Sequence, residues 1–134
     1  MIQEILEKAK SADFDFRKYA SPLERFQVRV QITSESDELI SSLPPAPVII
    51  SYHWYEFESE IPVIFDGLRS ALPLGLQQQT GTYTATVDAP ARAGPFRLAL
   101  TLVQEGCRWF EEAPGLRPAE KLVRISAPVS QGLV

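Results

Sequence analysis

Ser51 and His53 stand two residues apart in the run VIISYHWY. In a strand that spacing puts both side chains on one face, and a serine beside a histidine is how an acyl-transfer site begins. No Gly-x-Ser-x-Gly elbow accompanies them, and a strand interior does not present a nucleophile as a sharp turn does. The plainer account is a surface Ser51 and a partly exposed His53 beside an aromatic strand. Cys107 follows Gly106 and precedes Arg108, a cationic neighbour of the kind that activates thiolates. With His53 it is the one Cys–His pair the chain offers; an inert thiol at a strand end is the simpler reading.

Carboxylates are more plentiful. Glu56, Glu58 and Glu60 alternate through FESE, and Asp66, Glu105, Glu111 and Glu112 fall at other strand ends. Glycoside hydrolysis needs two carboxylates roughly 5–10 Å apart, so a small hydrolase using Asp66, Glu105 and Glu112 is one expectation. Solvated charges at strand ends are the simpler one. A Ca²⁺ site would use the same oxygens, but no Asp-rich loop spacing supports it. The aromatic residues point elsewhere. Tyr52, Trp54 and Tyr55 crowd one segment, and Trp109 and Phe110 adjoin Arg108, Glu111 and Glu112. Aromatic faces beside Arg and carboxylates suit a sugar, whose C–H face stacks while its hydroxyls hydrogen-bond. Against that, Trp54 and Phe110 read as core, with Trp109 capping one end.

Scarcity excludes more. The 134 residues hold one Cys, one His and no Asn. That leaves no intramolecular disulfide, no Cys-rich or His-cluster metal site and no N-glycosylation acceptor. A net charge of −4 and scattered Arg residues argue against a nucleic-acid surface. No apolar run approaches the ~20 residues of a spanning helix, and no signal-peptide pattern opens the sequence. A cytoplasmic protein without metal or cofactor is the expectation.

These residues need elements to hold them. Ile2, Ile5, Leu6 and Ala9 recur at helical spacing, with Glu4 and Lys8 in the favourable acid-first order. This predicts an N-terminal helix, ended near Ser11-Ala12-Asp13, with Phe14, Phe16 and Tyr19 anchoring the chain's return. From Leu23 the period changes to two. Phe26, Val28, Val30 and Ile32 alternate with polar residues, as do Tyr83, Ala85 and Val87, while Phe96, Leu98, Leu100 and Leu102 mark the strongest strand. Val48 to Tyr55 reads as a central strand, and Glu120 to Ala127 as the last. Between them, Asp66-Gly67 reads as a hairpin turn leading Val63-Ile64-Phe65 into a returning strand Leu68 to Leu72. Ser34 to Pro47, Leu74 to Thr80 and Gly106 to Pro118 read as loops, with Leu39, Ile40 and Leu43 folding a short piece of the first against the body. Pro, enriched at 11 residues against an average of ~5%, marks strand ends and corners.

About seven short strands with Pro/Gly turns and no helix between them predict an all-β, immunoglobulin-like antiparallel β-sandwich. Residues 1–20 form the helix and connector and 21–134 the sandwich; a closed barrel or jelly roll is the alternative.

Three segments taken together sharpen this: Ser51-Tyr52-His53-Trp54; Asp66-Gly67-Leu68-Arg69-Ser70-Ala71-Leu72-Pro73; and Asp88-Ala89-Pro90 through Leu102-Val103-Gln104-Glu105-Gly106 to Trp109-Phe110. Their order resembles a bacterial immunoglobulin-like domain, often attached to glycosyltransferases or methyltransferases of cell-surface polysaccharide synthesis. The match spans about residues 26 to 127 and departs at Leu74 to Thr80, where Gly75 and three glutamines replace a "PG" turn. The resemblance brings no catalytic residues. It implies an accessory module that recognises a glycan or positions a partner enzyme, the latter through the N-terminal helix or a strand edge. If a ligand site exists, the polar strand end carries it: Gln104, Glu105, Arg108 and Trp109, with Asp66 and Arg69 as neighbours.

Overall fold

The computed structural model describes residues 2–5, 19–34, 39–44, 47–72, 75, 77–110 and 118–126. Among them the chain runs β1 (Ile2–Ile5), β2 (Tyr19–Ala20), β3 (Arg25–Ser34), β4 (Val48–Glu56), β5 (Pro62–Ile64), β6 (Gln79–Asp88), β7 (Gly94–Gln104), β8 (Arg108–Trp109) and β9 (Ala119–Ile125). One sheet has the order β1-β3-β6. The other runs β2-β9-β7-β4-β5, with β8 paired to β7. All pairings are antiparallel except β2 with β9.

The predicted alternation is what buries these strands. Phe26, Val28, Val30 and Ile32 of β3 and Tyr83, Ala85 and Val87 of β6 point inward. They join one core with Val48, Ile50, Tyr52 and Trp54 of β4, Phe96, Leu98, Leu100 and Leu102 of β7, and Val123 and Ile125 of β9. Each such side chain, fully buried, contributes ~1.5–3 kcal/mol. Trp54 lies at the centre, edge-on to Phe96 at 6.3 Å. Its indole Nε1 donates to the Asp88 carbonyl at 2.9 Å, and the Asp88 amide donates to the Tyr52 hydroxyl at 2.9 Å. Those two bonds tie the end of β6 to β4 across the core.

Several expectations are corrected. Residues 2–5 are not helical: they pair with the edge of β3, Glu4 opposite Thr33 and Ile5 opposite Ile32. A helix of about nine residues is marginal alone, whereas a sheet edge offers backbone partners at once. Leu6 to Lys10, with Phe14 and Phe16, lie outside the described residues, and Tyr19 is exposed. Leu68 to Leu72 does not form a returning strand. It makes a single bridge, Ser70 exchanging both backbone bonds with Ile50 at 2.8 Å, while the Ser70 hydroxyl accepts the Thr86 amide of β6 at 2.9 Å. This strap crosses from one sheet to the other, because Ser70 can satisfy β4 with its backbone and β6 with its side chain. Of the loop Ser34 to Pro47, Ile40 packs on the core while Leu39 and Leu43 are exposed. The Gly106 to Pro118 loop begins with β8, and residues 111–117 lie outside the described residues.

Candidate functional site

The outer face of the second sheet is where the expected residues meet. Ser51 and His53 point outward from β4, yet both are buried, at 1% and 0% exposure; neither is the surface residue expected. Two segments lie over them: the strap at Phe65 to Arg69 and the hairpin of β7 and β8. His53 stacks on Phe65 with ring centroids 4.0 Å apart, and Trp109 tilts against it at 4.5 Å. The imidazole Nδ1 meets the Phe65 carbonyl at 2.5 Å. A carbonyl only accepts, so Nδ1 carries the proton. Ser51 turns to a different partner, accepting from Arg69 Nη1 at 3.1 Å. The pair thus braces a lid rather than facing solvent as nucleophile and base.

Arg69 is the hub of the lid. Its Nε and Nη2 donate to Glu105 at 2.7 and 3.4 Å, and Nη1 donates to the Gly67 carbonyl at 2.8 Å and meets Asp66 Oδ1 at 2.6 Å. Its guanidinium carbon stands 5.2 Å from the Trp109 ring centroid. The hydrogen bonds to Glu105 raise its pKa; burial works against this, and Asp66 adds to it. One cation therefore serves two carboxylates, and the planar fork suits the two-point contact with Glu105.

Gly67 makes this approach possible. Its amide donates to the Tyr52 carbonyl at 3.1 Å, and a Cβ there would fall 2.6 Å from the Tyr52 ring. The expected hairpin turn is corrected accordingly: the residue serves close contact with an aromatic face, and its φ is not positive. Gly106 does use the glycine freedom, with φ +73° at the tip of the β7–β8 hairpin. There the Cys107 amide donates to the Gln104 carbonyl at 2.9 Å.

Between strap and hairpin lies a cavity of about 360 Å³, lined in part by Phe65, Asp66, Arg69, Glu105 and Trp109, with Gln104 and Arg108 also on its wall. All six expected site residues therefore border one cavity, but they do not face it alike. Gln104 pairs with Val48 and with Arg108. Directly opposed residues share a sheet face, and the Val48 side chain is in the core. Arg108 accordingly lies over Phe110, 5.0 Å from its centroid, while Trp109 shares the outer face with Val103. Phe65, absent from the expected set, completes the wall, meeting Trp109 edge to face at 5.1 Å. Its sequence signal was the apolar run Val63-Ile64-Phe65 before Asp66-Gly67.

The remaining candidates disperse. Glu56 pairs with Arg92, and Glu60 with Arg97 at 3.4 Å. Glu111 and Glu112 lie outside the described residues. Cys107 is exposed while His53 is buried beneath Trp109. Among the described residues no three His, Cys, Asp or Glu side chains gather as a metal site, and no helix is long and apolar enough to cross a membrane. No family model matches the chain, and no curated protein matches it significantly.

Proposed function

We propose that this chain is an immunoglobulin-like β-sandwich acting as a non-catalytic binding module, with a carbohydrate as the ligand of the cavity between strap and hairpin. Support for the fold comes from the strand order, β1-β3-β6 opposite β2-β9-β7-β4-β5 with a parallel β2–β9 pair, and from the buried Trp54 on a central strand, a mark of that fold. The observation that carries the ligand reading is the convergence of Trp109 and Phe65 with Asp66, Arg69 and Glu105 around about 360 Å³. Apolar ring edges with a few fixed polar groups are what a sugar needs, and the volume lies at the small end of ligand cavities. In a cell the module would serve enzymes of surface-polysaccharide synthesis, as the sequence resemblance implies. The test is a glycan array followed by titration calorimetry on the wild type, Trp109→Phe and Trp109→Ala. Binding that falls about tenfold or more in Trp109→Ala and less in Trp109→Phe supports the reading. Binding to no sugar, or binding indifferent to Trp109, overturns it.

A second reading is favoured by one observation. Phe57, Ile61, Val63 and Phe65 are all exposed within the hairpin at the β5 end of the second sheet, and apolar clusters of this kind mark protein contacts. A glycosyltransferase or methyltransferase would dock there. Co-purification with such an enzyme, lost in Ile61→Lys/Val63→Lys, favours it; undiminished co-purification removes it.

A further inference from the structure

We infer that the ligand of this cavity carries a positive charge, as an amino sugar with a free ammonium group does; this rests on the reading of the cavity as a sugar site. Four charged residues border the space: Asp66, Arg69, Glu105 and Arg108. Strand alternation turns Arg108 to the opposite side of β8, over the buried Phe110 ring, and takes its charge away from the lid. What remains facing the ligand is two carboxylates against one guanidinium. That guanidinium already bonds Glu105, Ser51 and the Gly67 carbonyl, and meets Asp66. It has little to offer an acidic sugar.

Asp66 is different. Its side chain is 72% exposed, and among the described residues Arg69 is its ionic partner, through Oδ1. An ammonium entering the cavity would meet a carboxylate in a charge-assisted hydrogen bond, beside the rings of Phe65 and Trp109, whose faces attract cations. The protein demonstrates this chemistry on itself: the Arg69 guanidinium sits between two carboxylates and 5.2 Å from the Trp109 centroid. A neutral acetamido sugar has lost that charge, and a uronic acid brings one of the wrong sign.

The experiment is calorimetric titration of the whole chain at low salt with trisaccharides of glucosamine, N-acetylglucosamine, glucose and glucuronic acid. The expected result is about tenfold tighter binding of the glucosamine trisaccharide. That preference should shrink in Asp66→Asn and at high salt, the glucosamine trisaccharide losing more affinity than the glucose trisaccharide. Equal binding of all four, a preference for glucuronic acid, or a glucosamine preference that survives Asp66→Asn overturns the inference and leaves the sugar reading standing. If none of the four binds while the glycan array shows another sugar held through Trp109, the inference falls alone; if the array is blank as well, both readings fall.

Discussion

Gly67 lies on the ring of Tyr52, its amide bonded to the Tyr52 carbonyl and its missing side chain replaced by the aromatic face. The same tyrosine accepts the Asp88 amide through its hydroxyl and is almost fully buried, so the ring has no room to retreat. Gly67→Ala would place a Cβ 2.6 Å from ring carbons and should cost about 1–3 kcal/mol, the usual penalty of overpacking. Chemical denaturation would measure it. Because the displaced backbone leads directly into Arg69, sugar binding should weaken as well. A fully stable Gly67→Ala variant would show that the strap tolerates a different path.

Arg69→Lys tests the hub. A lysine keeps the charge and loses the planar fork, so it cannot bond Glu105, Ser51 and the Gly67 carbonyl together. Ser51 is buried and would lose its partner, which costs roughly 1–3 kcal/mol for an unsatisfied group. The expected loss is about 1–2 kcal/mol in denaturant, with partial exposure of Trp109 seen as a red-shifted fluorescence maximum. An unchanged midpoint and spectrum would mean that the aromatic stack alone holds the lid.

Leu23 is an exposed leucine at φ +62°, in the turn between β2 and β3. A left-handed conformation costs a side chain with Cβ roughly 1–2 kcal/mol, and nothing is recovered by burial here. Its amide still donates to the Pro90 carbonyl at 3.0 Å, a bond that glycine preserves. Leu23→Gly removes the strain but gives the unfolded chain more freedom, so a net gain of about 0.5 kcal/mol is expected. Thermal unfolding would register it as a rise of about 1–2 °C; a fall would show that the leucine makes a contact worth more than its strain.

These sites show where sequence reading succeeds and where it stops. The alternation in β3 and β6 was legible because one face of each is buried, and a period of two records that directly; in β4 and β7 the apolar core face was legible although the other face is covered too. The strap was not, because its bonds are long-range: Ser70 reaches Ile50 with its backbone and Thr86 with its hydroxyl, and neither partner is marked in Leu68 to Leu72. Gly67 was read as a turn because a glycine gives the same letter whether it supplies a positive φ or a flat surface. The burial of His53 was hidden for a similar reason, since its cover comes from Phe65 and Trp109, far away in the chain. Gln104, Glu105 and Trp109 were found as a polar pair and an aromatic residue at a strand end with no obvious packing role, and Asp66 and Arg69 as their neighbours. Gln104 and Arg108 stand apart from the others in the fold, because adjacent strand residues face opposite ways.

Acid should loosen the junction of β3 and β6 first. Asp88 is held below the ordinary carboxylate range by its hydrogen bonds to Arg25, at 2.7 and 3.0 Å; burial works the other way, and the charge of Arg25 adds to the depression. A depressed carboxyl contributes stability that is present above its unfolded value of ~3.9 and lost as pH falls through the lower folded value. The stability difference between wild type and Asp88→Asn should therefore be largest near neutrality and shrink below about pH 4. It should also diminish with added salt, since the pair is open to solvent. A difference that does not change with pH would locate the effect in the backbone of Asp88, which holds Trp54 and Tyr52.

Alkali should act in the middle of β6. Burial raises the pKa of the Tyr83 phenol above its ordinary value, and the hydroxyl donates to the Gly75 carbonyl at 2.8 Å. For an acid whose folded pKa is raised, the contribution is fully present below the unfolded value of ~10 and disappears as pH rises through the folded one. Tyr83→Phe keeps the ring in the core and leaves the Gly75 carbonyl without this donor, at a cost of about 1 kcal/mol near neutrality. Above about pH 10 the wild type must either keep a neutral phenol against the solvent or bury a phenolate. The stability gap to Tyr83→Phe should therefore narrow as the pH climbs further. Denaturation midpoints at pH 7, 10 and 11 would trace it, with the phenolate absorbance of the folded protein reporting ionisation. A gap that stays constant across that range would mean the hydroxyl is as well solvated in the fold as in the unfolded chain.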